Sequence, residues 1–66
     1  MKKYYVNNRA QSNGDHEVHV ENCDNMPSDK KSLGEHSSCD SAVREAKKTY
    51  LTANGCKNCC PSCHTS

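Results

Sequence analysis

Apolar side chains are sparse along this chain, and their spacing carries the first information. Residues 15–21, Asp-His-Glu-Val-His-Val-Glu, alternate strictly between polar and apolar positions, which predicts a half-buried strand. Val18 and Val20 are expected to face a core together with His16, leaving Asp15, Glu17, His19 and Glu21 toward water. An earlier run, residues 4–9, opens with the strand formers Tyr4, Tyr5 and Val6. Between the two runs, Gln11-Ser-Asn-Gly14 supplies an Asn-Gly turn signal, so the pair reads as a hairpin. A weaker third strand is expected over Lys31 to His36, with Leu33 as its strong apolar residue. The connection to it, from Asp24 to Lys30, looks too short for the crossover that a parallel pairing needs. The expectation is therefore a three-stranded antiparallel meander spanning about residues 3–36.

The period then changes. Ala42, Val43, Ala46, Tyr50 and Ala53 recur at helical spacing. Ser37 followed by Asp40 resembles a capping box with Asp in place of Glu. Asn54-Gly55 is a natural stop, and the pattern predicts a helix over residues 38–53. The fold class expected is α+β: one sheet, one C-terminal helix packed on it, and a cysteine-rich tail over residues 55–66. All 66 residues read as a single small domain.

Composition changes this picture in one respect. There is no Phe, Trp or Ile, and the large apolar residues are few, so a core of this size needs a staple. Six cysteines can supply it. The basic start, Met-Lys-Lys-Tyr-Tyr-Val, runs into no long apolar stretch, so neither a secretory leader nor a membrane anchor is expected. On that basis the expected location is cytoplasmic, where cysteine clusters more often bind metal than form disulfides. The formal net charge of +1 gives no electrostatic reason to expect nucleic acid or membrane binding.

The tail, Gly55-Cys-Lys-Asn-Cys-Cys-Pro-Ser-Cys-His-Thr-Ser66, admits four readings. Two abutted C-x-x-C steps, Cys56 to Cys59 and Cys60 to Cys63, have the spacing with which a turn aims two thiolates at one zinc ion. If strand two and the helix both end at the same pole of the molecule, Cys23 joins the tail there. The site first expected is Cys23, Cys56, Cys59 and Cys63, with Cys60 or His64 as possible exchanges. Cys39 falls at the opposite pole unless the tail doubles back along the helix. The second reading is three disulfides, for which six cysteines allow fifteen pairings. The third is a haem-attachment sequence, matched by Cys60-Pro-Ser-Cys63-His64, although the chain offers no apolar pocket for haem. The fourth is a redox dithiol of Cys60 and Cys63, with Cys59 as a resolving thiol. Its usual setting, a strand leading into a helix, is missing. His16 and His36 could approach Cys39 as a partial second site, but isolated histidines on a small sheet are commonly plain polar residues.

The stretches "YYVNNRAQSNGDHEVH", "LGEHSSC" running into "AVREAKKTY", and "GCKNCCPSCHTS" together resemble a family of small bacterial proteins of unknown function. The resemblance covers nearly the whole chain and implies a complete small protein. It carries no activity with it. No paired carboxylates, no nucleophile with a positioned base and no phosphate-binding glycine loop can be assembled from these residues. The expectation is a non-enzymatic, zinc-binding module that contacts another protein. A nucleic-acid surface on Tyr4 and Tyr5 is disfavoured by Glu17 and Glu21 on the same sheet.

Overall fold

In the computed structural model, residues 1–65 are described. Four strands and one α-helix follow in the order β1 (Lys2–Asn7), β2 (His16–Val20), β3 (Lys30–His36), α1 (Cys39–Ala46) and β4 (Ala53–Gly55), ending in a single 3-10 turn, Pro61–Cys63. The hairpin forms as the alternation predicts: β1 and β2 pair antiparallel with Tyr4 opposite Val20 and Val6 opposite Val18. Its turn is closed by the Gly14 N–H donating to the Gln11 carbonyl at 2.8 Å.

The meander does not form. The sheet is four-stranded and mixed, in the order β3-β1-β2-β4. β3 pairs antiparallel with β1 rather than with β2, and β4 adds to the other side of β2 in parallel. The short connection is the reason the meander looked compulsory, yet it suffices for what the chain does. Residues 21–29 must carry it from Val20, beside Tyr4, past β1 to Lys30, beside Asn7. That path is about 10 Å along the strands and about 10 Å across two strand spacings, and a segment of this length extends to roughly 30 Å. Residues Ala53–Gly55, expected at the end of the helix, become β4.

β3 bends on its way along β1. Tyr4 faces Gly34 and Tyr5 faces Ser32, so two residues, Leu33 and Gly34, stand against one step of the partner in a β-bulge. Gly34 has φ +83°, a conformation glycine adopts without the penalty other residues incur. The bulge is where Leu33 turns into the core.

The helix is eight residues long rather than sixteen. Past Ala46 the bonding tightens, with Lys48 N–H to Glu45 O and Thr49 N–H to Ala46 O. The run Thr49-Tyr50-Leu51-Thr52 explains the early stop, because β-branched and aromatic residues lose side-chain freedom in a helix. Released from it, Tyr50 stacks on His16 with ring centroids 3.9 Å apart and donates its hydroxyl to Asn8 at 2.8 Å. Helical spacing still holds within α1, where Cys39, Ala42 and Ala46 are buried on one face. They pack on Tyr4, Val6, Val18 and Leu33, with Ala53 and Cys60 completing the core. No helix among the described residues is long and apolar enough to cross a membrane.

Candidate metal centre

The site gathers at the open edge of β2, just beyond the end of β4. The parallel ladder ends with the Cys56 N–H donating to the Val18 carbonyl at 2.9 Å. The next amide on that edge, Val20 N–H, lies against the sulfurs of Cys59 and Cys60 and favours their thiolate forms. Four residues converge here: His19 from β2, Cys23 from the turn after it, and Cys56 and Cys59 from the segment after β4. One ligand atom of each lies within 4.8 Å of every other. This set could hold a metal ion.

Two local features bring the donors together. Asn22 takes φ 69°, a left-handed conformation that asparagine tolerates better than most residues. The Cys23 N–H then donates to the Val20 carbonyl at 3.2 Å, turning Cys23 back onto His19. On the tail, the Cys60 N–H donates to the Cys56 carbonyl at 2.8 Å, which closes the turn carrying Cys56 and Cys59. Both sulfur contacts fall on one ring nitrogen: His19 Nδ1 is 3.5 Å from Cys23 Sγ and 3.8 Å from Cys59 Sγ. A tetrahedral ion with sulfur at about 2.3 Å and nitrogen at about 2.05 Å sets its ligands about 3.6 Å apart. The observed separations bracket that value.

His19 itself is 1% exposed. Its other nitrogen, Nε2, is buried with no hydrogen-bond partner among the described residues and lies 3.6 Å from a carboxylate oxygen of Glu17. Burial lowers the His19 pKa, against the opposing pull of Glu17, so the ring is neutral at pH 7. A neutral ring with its proton on Nε2 directs that proton at Glu17 and leaves the Nδ1 lone pair among the sulfurs. Burial likewise raises the thiol pKa of Cys59, assisted by its contact with Cys23, and that of Cys60. Without a cation, burial favours the protonated thiols of Cys59 and Cys60.

The remaining tail residues go elsewhere. Cys63 is not in the group: it forms a disulfide with Cys39, their Cα atoms 6.3 Å apart. The tail therefore does double back to the start of α1, which the shortened helix makes easy. Cys60 is 3% exposed and lies in the core, its sulfur 3.9 Å from that of Cys59. His64 turns its Nδ1 to the Gly55 carbonyl at 3.1 Å. His36 lies between the Ser41 hydroxyl at 2.9 Å and the Leu33 carbonyl at 2.8 Å, so neither it nor His16 joins Cys39. The redox pair expected at Cys60 and Cys63 is replaced by Cys39–Cys63, which also removes one of the two thiols a haem attachment needs. Cys23, Cys56, Cys59 and Cys60 are free, so the six cysteines do not form three disulfides.

The residue that sequence reasoning missed is His19. Its signal was His19-Val-Glu-Asn-Cys23, a histidine four positions before a cysteine at a turn, facing a distant C-x-x-C. Neither protein-family models nor curated proteins nor solved structures contain a match to this chain.

Proposed function

We propose that this chain is a zinc-binding domain in which His19 Nδ1, Cys23, Cys56 and Cys59 hold one structural zinc ion. The observation that carries the reading is the convergence of four soft and borderline donors with sulfur–nitrogen separations of 3.5 and 3.8 Å around a single ring nitrogen. Three thiolates and an imidazole suit zinc among the common divalent ions. The ion would supply charge stabilisation for thiolates that burial otherwise disfavours.

All four positions are filled by protein donors, leaving none open for a substrate. Closed coordination of this kind belongs to structural sites rather than catalytic ones, so the domain acts by contact and not by catalysis. Its partner in this reading is another protein. With a net charge of +1, nucleic acid is not the partner proposed. The reading keeps the cytoplasm as the proposed location, where the four free thiols stay reduced and the Cys39–Cys63 disulfide meets reducing conditions.

The test is intact mass under native and then acidic conditions, without reductant. Acidification should release about 63 Da, the mass of zinc less two protons, and leave a chain two hydrogens lighter than the fully reduced one. A mass unchanged by acid in zinc-containing buffer contradicts the proposal.

A further inference from the structure

The Cys39–Cys63 disulfide joins the first residue of α1 to the 3-10 turn of the tail. A carboxylate stands beside it: Asp40 Oδ1 is 3.3 Å from Cys63 Sγ. The three ligand atoms of Cys39, Asp40 and Cys63 lie within 4.8 Å of one another. Cys39 is nearly buried, Cys63 is half-buried and Asp40 is exposed, so the group opens to solvent on one side only. Cys39 opens a helix whose N-cap, Ser38, makes no side-chain capping bond.

From this geometry we infer that Cys39, Asp40 and Cys63 form a second metal site that exists only in the reduced protein. Two thiolates and a carboxylate fill three positions of a tetrahedral zinc ion, and water reaching the exposed side fills the fourth. The freed sulfurs need to stand about 3.8 Å apart around such an ion, and the Asp40–Cys63 contact is already near the required separation. In the oxidised protein the same sulfurs are joined to each other and offer no thiolates. The chain then binds one ion when oxidised and two when reduced. The count of two rests on the His19 site as well; the gating of the second ion does not.

Reduction is written with a water-soluble phosphine. The phosphine attacks one sulfur and the S–S electron pair leaves on the other; water then supplies the oxygen of the phosphine oxide and the two protons of the thiols. Zinc binding afterwards displaces those two thiol protons.

The experiment is native mass spectrometry of the full chain with zinc, before and after phosphine treatment, alongside Cys63→Ser and Asp40→Asn. The expected counts for the wild type are one ion oxidised and two reduced. Cys63→Ser should stay at one ion under both conditions, and Asp40→Asn should weaken the second ion at least tenfold while keeping the first. One ion both before and after phosphine treatment overturns the second site and leaves the first standing. Two ions in reduced Cys63→Ser also overturn it, since the second ion then lies elsewhere. No ion in the oxidised wild type with one in the reduced, lost in Cys63→Ser, upholds the second site and refutes the first.

Discussion

At the scale of single residues, His19 carries the account. The alternation along β2 correctly sets it on the face opposite Val18, and the error lay in equating that face with water. His19 is 1% exposed because a turn carrying Cys23 and a tail segment carrying Cys56 and Cys59 close over it. Both come from outside its strand, and the alternation along β2 reports neither. Glu17, two residues back on the same face, gives the closest anion to its orphaned Nε2 at 3.6 Å. Carboxylates that accept the second nitrogen of a metal-bound histidine hold the ring's tautomer and orientation, and losing one typically costs 10–100-fold in affinity. Glu17→Gln should therefore weaken zinc binding by about 10–100-fold in competition with a chromophoric chelator, with the far-ultraviolet dichroism unchanged. Affinity within twofold of the wild type would show that Glu17 does not act on His19.

At the scale of elements, the chain follows its local preferences more closely than a helix over residues 38–53 allows. The apolar spacing from Ala42 to Ala53 is helical, but Thr49, Tyr50 and Thr52 are poor helix formers, and residues 49–52 leave the helix as turns. What they gain is β4, a parallel partner for β2 that sequence alone could not pair. β4 sets the register of the tail, and Gly55 is where the two meet most closely. A Cβ built on Gly55 comes 2.7 Å from Cys63 Cβ and 2.9 Å from both the Cys60 carbonyl oxygen and the Cys63 carbonyl carbon. Two of these are backbone atoms, so the clash cannot be relieved by a rotamer change. Gly55→Ala should lose about 1–3 kcal/mol of stability in urea denaturation, as overpacked sites do. That loss exceeds the fraction of a kcal/mol an alanine gains by restricting the unfolded chain. Stability equal to or above that of the wild type would place the tail farther from β4 than described.

At the scale of the whole molecule, the sequence made the need for staples legible and left their wiring hidden. The scarcity of large apolar residues and the excess of cysteines are plain in the composition, as are the hairpin, the sheet-plus-helix class and the clustering of Cys23 with the tail. The pairing of six cysteines is not, because it depends on where a nine-residue connection and an eight-residue helix deliver the chain ends. A helix half the expected length brings the tail back to its start, and Cys39, which a sixteen-residue helix strands at the far pole, meets Cys63. The tail is thus held at Cys56 and Cys59 by the proposed ion and at Cys63 by the disulfide. Cys60, between them, serves as a buried apolar side chain in the core.

The choice of His19 over Cys60 as the fourth ligand is the point on which this arrangement stands or falls. X-ray absorption at the zinc edge of the loaded, oxidised protein reads the first coordination shell directly. The predicted shell is three sulfurs at about 2.3 Å and one nitrogen at about 2.0 Å with the outer-shell pattern of an imidazole; four sulfurs and no imidazole would contradict it.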